Sequence, residues 1–410
     1  MIAWLRERLA PPTVPPRTVP ALSFAYVFGS VLVMLLGVEA ITGAALAAFY
    51  SPSTTDAWAS VAYVQDRMSL GWLVRGLHHH GASALVIISG LHLVQGAVFG
   101  AYKKPRELSW WLGIVLLLLV LGFAITGFVL RWDQAGYWAN QVEVGIAAGT
   151  PIVGGTIRAL LLGGNDYGNL TLTRFYALHV ALLPAITVLV VVGHVALSRR
   201  HGLTPRWDRQ GVPAIRRWPQ QTLRDVVAMA VVFAALVAYT VSTHGVDLAA
   251  PADPGSAYDA RPLWYFRWLF ELRHLFGSLE KVAAMVAPAV VAGFLIGLPF
   301  LDRSATNDPM KRKPWLAVLG VIVLLVGLLT VMSYANDSGD AALAKRQAVA
   351  AKDAAKARSL AAEHGVPATG PQDLVAANTP MYRARTLYEQ RCATCHDDAS
   401  KKRKGPIIRA

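Results

Sequence analysis

The sequence predicts an all-α integral membrane protein with seven transmembrane helices and a further segment outside the membrane. Its 410 residues are 54% hydrophobic and only 16% charged, whereas soluble globular proteins carry roughly 25% charged residues. This composition excludes a disordered chain and argues against a soluble enzyme. Seven apolar stretches approach the roughly 20 residues that cross a bilayer as a helix. They lie near 24–49, 80–99, 110–130, 176–197, 225–243, 283–300 and 315–334.

The loops between these stretches predict the orientation in the membrane. We expect no cleavable signal, because residues 1–20 form a short amphipathic start followed by a Pro-rich stretch. Lys and Arg concentrate in 1–20, 100–109, 198–224 and 301–314. With seven spans, all four segments lie on the same side of the membrane as the N-terminus. Since cytoplasmic loops carry an excess of Lys and Arg, the N-terminus is predicted to be cytoplasmic and the C-terminus extracytoplasmic. The same bias accounts for the net charge of +14 without nucleic acid as a partner.

After the last span the composition changes. Residues 340–363 are rich in Ala, Lys and Arg and show little apolar periodicity, which predicts a solvated helical spacer. Pro and Gly interrupt residues 364–380. The only two cysteines of the chain follow this linker and lie in one short motif, so no disulfide framework is expected.

That motif, Cys392-Ala-Thr-Cys395-His396, has the C-x-x-C-H pattern of c-type haem attachment. Two thiols can form thioether bonds to the haem, and the adjacent imidazole can bind iron. The alternative is a redox or zinc-binding C-x-x-C, which the expected extracytoplasmic position disfavours. No Met follows His396. The second axial ligand therefore stays open, as does whether this domain is truncated or its iron five-coordinate.

Histidine within the membrane is the second indication of haem, because ionisable residues there are costly and mark function. The second span carries His78 and His92, and the fourth carries His179 and His194. At about 100° and 1.5 Å per residue, spacings of fourteen and fifteen put each pair on one helix face about 21–22 Å apart. Antiparallel helices would pair His78 with His179 and His92 with His194, each pair suiting a bis-His haem b. Lone hydrogen-bonded histidines are the alternative.

Other residues near these depths fit the same arrangement. His79 and His80 would miss the shared helix face, so we expect them at the outer interface, in structural or solvent-facing positions. Glycines fourteen residues apart would leave room for flat macrocycles at both depths, although small residues also suit plain helix packing. These glycines are Gly29 and Gly43 on the first span and Gly113 and Gly127 on the third.

Several segments carry a family resemblance: 71–78 with 81–83, 102–110, 133–138 and 171–179. They resemble the cytochrome b of the quinol–cytochrome c reductases, the cytochrome bc complexes of respiration and photosynthesis. The resemblance is closer to the chloroplast type, in which a four-helix haem part and a three-helix part are separate chains. It implies a four-helix di-haem bundle at 1–215, a fused three-helix extension at 216–336, a linker at 337–380 and the start of a c-type cytochrome domain at 381–410.

The resemblance also implies a mechanism. Quinol would be oxidised at the outer face, passing one electron to a Rieske iron–sulfur protein and on to cytochrome c. The other electron would cross through two haem b groups to a quinone at the cytoplasmic face, with protons released outside and taken up inside. The family further implies a homodimeric complex with lipids and quinone in a bacterial cytoplasmic membrane. The chain alone would be inactive.

Four polar residues match functional positions of the family. Arg75 and Arg174 match basic residues near the outer haem, where each would pair with a propionate; snorkelling to headgroups is the alternative. Arg199 and Asp225 match groups of the inner quinone site. A carboxylate there could relay protons, or it could offset the dipole of the fifth span.

The outer quinol motif of the family departs in this chain. Pro-Glu-Trp-Tyr is replaced by Pro262-Leu263-Trp264-Tyr265, and leucine cannot accept a proton. Glu271, eight residues later, is a candidate substitute, unless it forms a salt bridge with Arg267 or Arg273.

Three further departures lie near the expected haems. Glu39 stands where the family usually has Gln, and is expected to act as a proton stop or as a plain hydrogen-bonded group. Gln95 replaces an Arg near the inner haem. Val27 replaces the cysteine that anchors an extra haem in the chloroplast type.

Two other functions stay open. One is a di-haem quinol dehydrogenase subunit without bifurcation, which the missing glutamate at Leu263 favours. The other is a membrane scaffold that retains haem only structurally. A Rieske gene beside this one would favour bifurcation, and a lack of quinone-dependent haem reduction would favour the scaffold.

Overall fold

A computed structural model of the chain describes residues 23–209, 215–367 and 370–374, together with eight single positions. Two-residue strands, Thr18–Val19 (β1) and Ile215–Arg216 (β2), pair antiparallel. Everything else regular in the described residues is helical. The single positions are Trp4, Arg8, Thr18, Val19, Leu387, Tyr388, Arg391 and Cys392.

Seven helices are long and apolar enough to cross a membrane, which confirms the predicted number. Short helices occupy the connections, mainly at the end of the bundle nearer His78 and His179, which is called the outer end below, and the opposite end is called the inner end. In chain order the helices are α1 (Phe28–Ala47), α2 (Ala57–Asp66), α3 (Gly71–Phe99), α4 (Glu107–Val129), α5 (Gln134–Ala148), α6 (Gly154–Leu162), α7 (Asn169–His201), α8 (Gln220–Ser242), α9 (Arg267–Phe276), α10 (Glu280–Leu301), α11 (Lys313–Gly339) and α12 (Ala341–His364). The spans are α1, α3, α4, α7, α8, α10 and α11, with α9 leading into α10.

The second span begins earlier than its apolar stretch. Helix α3 starts at Gly71, after Leu70 in a left-handed conformation with φ 58°. A Cβ on Gly71 would lie 2.0 Å from the carbonyl oxygen of Val64, so this close turn requires glycine. The early start places His78 inside the helix rather than before it.

The fourth span contains one irregular turn. Residues Leu178–Leu182 of α7 form a π-helical turn, in which the Leu183 N–H donates to the Leu178 carbonyl. Pro184 follows directly and has no N–H to continue the regular pattern. A π turn contains one residue more than an α turn. Fifteen residues from His179 to His194 therefore rotate the helix about as far as fourteen residues of regular α-helix.

The four N-terminal spans pack in two pairs, α1 on α3 and α4 on α7, with α3 also against α4. Helix α8 packs against α1 and α3 and contributes Leu236 to a shared apolar core. Helices α9, α10 and α11 pack on each other. The fold thus consists of a four-helix bundle with α8 packed against it, and a separate group formed by α9, α10 and α11. The predicted three-helix part at 216–336 includes α8, which packs mainly on the bundle.

The outer connections form a layer above the bundle. Helices α5 and α6 pack on each other around a core that includes Trp132, Tyr137 and Phe175. Asp133 caps α5 by accepting from the Gly136 N–H, and it also accepts from the Ala249 N–H in the loop after α8. This loop and α5 are therefore held together at the outer end of the bundle.

Helix α12 is a helix as predicted, but it is not simply solvated. Its Ala357 and Leu343 are 0% and 1% exposed, and Ala357 lies in an apolar cluster with Trp58 of α2. Arg358 forms an ion pair with Asp66 at the end of α2. The small alanine side chains allow this close approach, so one face of the linker helix docks on the outer layer.

Candidate functional site

The structure brings together both histidine pairs that the spacing predicts. The ring centres of His78 and His179 are 6.2 Å apart, with ring planes at 76°. Those of His92 and His194 are 6.4 Å apart, with planes at 80°. Two metal–imidazole bonds of about 2.0–2.1 Å, plus the distance from each nitrogen to its ring centre, place two axial rings about 6 Å apart. Both pairs have the separation that a shared metal atom requires.

The outer pair is oriented by hydrogen bonds to Nδ1. The Nδ1 of His78 lies 3.1 Å from the Thr42 hydroxyl and 3.0 Å from the Glu39 carboxyl, both on α1. The Nδ1 of His179 lies 3.0 Å from the Thr126 hydroxyl on α4. Such partners fix the orientation of a metal-binding imidazole. With Nδ1 engaged, Nε2 is the ring nitrogen of each histidine left available to iron.

The inner pair is oriented in the same way by different groups. The Nδ1 of His194 lies 2.8 Å from the Ser109 carbonyl at the start of α4. The Nδ1 of His92 lies 3.2 Å from the Gln95 amide oxygen, one turn later on α3. Gln95, which departs from the family pattern, thus has a contact with a predicted iron ligand.

Three of the four predicted glycines lie directly against a histidine ring. A Cβ would lie 3.0 Å from His78 Cε1 at Gly43, 2.7 Å from His179 Cε1 at Gly127 and 3.3 Å from His194 Cε1 at Gly113. At Gly29 a Cβ would meet no atom within 4 Å, so this glycine borders open space. The three glycines therefore make room for the imidazole rings themselves, and only Gly29 borders open space of the kind predicted for a macrocycle.

The two predicted arginines differ in what they contact. Arg75 is 7% exposed and donates to the Gln65 amide oxygen and to the carbonyls of Val246 and Asp247. Its guanidinium holds the loop after α8. Nη1 of Arg174 is buried and has no hydrogen-bond partner within the described residues. A buried cation without a partner is costly, so Arg174 fits an anionic group such as a haem propionate.

Asp225 has a cationic partner that the sequence reasoning missed. It is 4% exposed, forms an ion pair with Arg217 and accepts a hydrogen bond of 3.2 Å from Gln221. It lies beyond the first turn of α8, which argues against a role in offsetting the dipole. Arg199 is exposed and makes no contact with Asp225 in the described residues. The spacing of eight residues between Arg217 and Asp225 across Pro219 gave no recognisable pattern.

His79 and His80 lie within the first three turns of α3. They line a groove of about 480 Å³ between α3, α8 and Trp264. Nε2 of His80 lies 3.1 Å from the Gly245 carbonyl and its ring packs edge-on against Tyr239. His80 therefore has a structural role in holding the turn after α8.

The Pro262-Leu263-Trp264-Tyr265 motif precedes α9, and its Trp264 and Tyr265 form a 3₁₀ turn. Trp264 Nε1 donates to the Ser83 hydroxyl at 3.4 Å. Glu271 is 5% exposed and accepts a 2.7 Å hydrogen bond from Asn336 of α11.

Neither salt bridge suggested for Glu271 forms in the described residues. Arg267 pairs with Asp337, and Arg273 pairs with Glu280 at 2.8 Å. Each arginine has a nearer acid than Glu271. The carboxyl of Glu271 instead joins α9 to α11 through Asn336.

A second acidic residue of the outer layer, Glu143 on α5, was missed by the sequence reasoning. Its Oε2 accepts a 3.2 Å hydrogen bond from Asn140, whose own amide oxygen accepts from the Tyr167 hydroxyl at 3.1 Å. Enclosure by the protein raises the pKa of Glu143 to about 8, a rise that the Asn140 hydrogen bond partly offsets. Its carboxyl interacts electrostatically with the Tyr265 hydroxyl, as does that of Glu39. Only its position seven residues after Gly136 in a family-like loop could have drawn attention to it.

The c-type motif lies mostly outside the described residues. Cys392 is partly buried and its N–H donates to the Tyr388 carbonyl at 2.7 Å. Cys395 and His396 are not among the described residues. Covalent haem attachment at this motif therefore stays a prediction.

Two family models match the chain. The model described as Cytochrome b/b6/petB matches residues 15–202, which contain all four histidines of the two pairs. The model described as Cytochrome b(C-terminal)/b6/petD matches residues 251–350. The first match spans the four-helix bundle and the second spans α9 to α11.

Two relatives and one solved structure are similar to different extents of the chain. A "Cytochrome bc complex cytochrome b subunit" from Chlorobaculum thiosulfatiphilum is 32% identical over 329 residues, 78% of this chain and 75% of that protein. "Cytochrome b6" from Cyanidium caldarium is 38% identical over 185 residues, 45% of this chain and 86% of that protein. A chain of a "Hyperthermophilic respiratory Complex III" aligns with a TM-score of 0.68 and 25% identity, over 82% of this chain and 91% of that one.

Fold, site and similarity agree. The seven apolar helices make this a multi-pass membrane protein, and its two histidine pairs lie where two haem groups can bind. The relative that covers most of the chain is named for its place in a bc complex. The chain therefore belongs to the cytochrome b family, as the b-haem-carrying membrane subunit of a bc-type or b6f-type oxidoreductase complex.

Proposed function

We propose that this chain is the quinol-oxidising subunit of a quinol–cytochrome c reductase. Quinol is oxidised near the outer histidine pair, one electron passing to a Rieske iron–sulfur partner and then to cytochrome c. The other crosses the membrane to a quinone near the cytoplasmic face. The observation that carries this proposal is the presence of two histidine pairs on the same two helices, with ring centres 6.2 and 6.4 Å apart.

In this function His78 and His179 bind the outer haem iron, and His92 and His194 bind the inner one. The two haems supply one-electron carriers at two depths of the membrane. The Nδ1 partners of each ring fix its orientation before the haem binds. Arg174 binds a propionate with its buried Nη1.

At the cytoplasmic side the Arg217–Asp225 pair is the proposed polar end of the inner quinone site. The carboxyl of Asp225 can hold a proton at its Oδ atoms, while Arg217 and Gln221 keep it in place. Arg199 is exposed on the last turn of α7, where it is free to bind the quinone or a headgroup. Proton uptake at this face and release at the outer face follow from this assignment.

We further propose that Cys392, Cys395 and His396 hold a haem c outside the membrane of a bacterial cell, with the N-terminus in the cytoplasm. Helix α12 docks on α2 through the ion pair of Arg358 with Asp66. The segment that carries the c-type motif therefore leaves α12 close to the outer layer. Tethering of this kind raises the effective concentration of an electron carrier near its donor. A homodimer of the family type completes the proposed assembly.

The test is a potentiometric titration of the purified complex followed by optical difference spectra. We expect two b-type haems at separate potentials and one c-type band, with haem b reduced by added quinol in a Rieske-dependent way. One haem b or none would overturn the ligand pairing. Absence of quinol-driven reduction in a haem-replete complex would favour a structural scaffold.

The replacement of the motif glutamate by Leu263 supports one second candidate, a di-haem quinol dehydrogenase that does not bifurcate. In that case both electrons leave through one partner. Removing the Rieske protein separates the two functions: haem b reduction by quinol would persist in the dehydrogenase and fail in the bifurcating enzyme.

A further inference from the structure

A quinol oxidation site needs a group that accepts a proton. Leu263, which stands where the family has glutamate, cannot do so because its side chain is an alkyl group. Within the described residues, three glutamates lie near the motif: Glu39 and Glu143 interact electrostatically with Tyr265, and Glu271 lies on α9, which follows the motif. Each can be judged by what its carboxyl already contacts.

Two of these three are engaged elsewhere. Glu271 accepts from Asn336 of α11 through one carboxyl oxygen, as Glu143 does from Asn140. Glu271, however, is only 5% exposed between α9 and α11, which leaves little of its carboxyl accessible to a substrate. Glu39 lies 3.0 Å from Nδ1 of His78, and its Oε1 is buried where a Cβ on Gly81 would come within 2.1 Å. The first serves helix packing and the second orients a proposed iron ligand.

We propose that Glu143 accepts the proton of quinol at the outer site, in place of the acid missing at Leu263. This inference rests on the proposed function. The half-buried Glu143 side chain uses Oε2 to accept from Asn140 and has no hydrogen-bond partner for Oε1 in the described residues. Asn140 is itself 1% exposed and held by Tyr167, so one carboxyl oxygen is fixed and the other is open to substrate.

The surroundings of the Glu143 carboxylate suit a base that becomes a neutral carboxylic acid once it has accepted the proton. The helices packed on α5 are α4, α6 and α10, and no Lys, Arg or His of the described residues compensates this carboxyl. The ionisable groups that face it are Tyr167 and Tyr265. Its pKa of about 8 lies close to neutral pH, where a general base is most effective.

The step balances for one proton and one electron. The O–H bond of one quinol hydroxyl breaks, and its proton moves to Oε1 of Glu143. The electron leaves to a high-potential one-electron acceptor, the iron–sulfur partner of the proposed function. Tyr265 lies within electrostatic range of both Glu143 and Glu39, which places the family motif beside the transfer.

The test compares Glu143→Gln with Glu280→Gln in the purified complex, by stopped-flow reduction of haem b with a soluble quinol analogue. Glu280 is a matched glutamate of the outer side that pairs with Arg273. We expect Glu143→Gln to slow reduction by about 100-fold, the lower range for a lost general base, and Glu280→Gln to retain the wild-type rate. The wild-type rate should rise with pH around 8, and this rise should vanish in Glu143→Gln.

A rescue variant separates chemistry from folding. Adding Leu263→Glu to Glu143→Gln returns the family acid, and we expect it to restore at least a tenth of the wild-type rate. The dithionite-reduced spectrum reports whether each variant keeps its haems, and Glu143→Asp, with a displaced carboxyl, should retain the pH dependence at a lower rate.

The possible failures are distinguishable. An unchanged rate and pH profile in Glu143→Gln would overturn the inference, as would a loss in Glu271→Gln alone. If the wild-type complex itself shows no quinol-driven reduction, the proposed function fails and the inference fails with it.

Discussion

Each of the four paired histidines has a hydrogen-bonding group beside its Nδ1, and the kind of group differs between the outer pair and the inner pair. The outer rings contact hydroxyls and, at His78, the carboxyl of Glu39. The inner rings contact a backbone carbonyl and an amide oxygen. Hydrogen bonding to an axial ligand is one of the levers by which a protein tunes a haem.

Replacing Glu39 tests this difference. A carboxyl acceptor makes the imidazole a stronger electron donor than an amide does, which favours oxidised iron. We expect Glu39→Gln to raise the midpoint potential of the outer haem by tens of millivolts, since a tenfold change in a one-electron equilibrium is about 59 mV. The inner haem of the same molecules is the control in a potentiometric titration. An equal shift of both haems would contradict the assignment.

The glycine at position 127 offers a steric test at the same scale. A Cβ there would lie 2.7 Å from His179 Cε1, so Gly127→Ala must displace the ring or the haem. We expect the number of haem b groups per chain, measured as the pyridine haemochrome, to fall from two toward one. Gly327→Ala on α11, where a Cβ meets nothing within 4 Å, should keep two. Two haems in both variants would argue against ligation by His179.

At the scale of elements, hydropathy sufficed to predict all seven spans, because each is a long apolar run. The short helices α2, α5, α6 and α9 were not predicted as elements, since their polar and apolar residues mix within loops that tertiary contacts order. Arg217 was missed because loop geometry brings it to Asp225, and Glu143 was missed because the helix that carries it, α5, was not predicted. The docking of α12 escaped prediction because alanine gives little periodicity in hydropathy.

The docked face of α12 can be tested by a single charge. Ala357 is fully buried against α2, so Ala357→Asp should detach the helix through an unpaired buried charge. We expect faster hydrogen exchange across 341–364, measured by mass spectrometry. Lys352→Ala, at an exposed position, should leave the exchange pattern as in the wild type. Unchanged exchange in Ala357→Asp would show that α12 is not held by this face.

At the scale of the molecule, the four-helix and three-helix parts are joined at both faces. On the outer side Asp133 and Arg75 bind the loop after α8. On the inner side Arg312, 1% exposed, donates to the carbonyls of Ala97 and Asn307 and to the Tyr102 hydroxyl. These connections hold the two parts of the chain together at both ends of the bundle.

Arg312→Met should loosen this joint. The change breaks the buried ion pair of Arg312 with Asp302, 3.8 Å apart, and leaves the carbonyl partners unsatisfied, a loss of about 3 kcal/mol for a broken buried pair. We expect a lower thermal unfolding midpoint of the detergent-solubilised complex, followed by haem absorbance. Lys311→Met at the exposed neighbouring position should unfold at the wild-type temperature. Equal midpoints in the two variants would contradict a role in joining the halves.

The π turn in α7 has a consequence for how such helices are compared. The π turn takes up one extra residue without adding to the rotation of the helix. The angle between His179 and His194 about the helix axis is therefore the same as for two residues fourteen apart in a regular α-helix. A helix one residue shorter and free of the π turn can therefore present the same two imidazoles to the same two depths. The number of residues between two such ligands therefore does not by itself give their relative orientation. What must match between such helices is the angle between the two rings viewed down the axis.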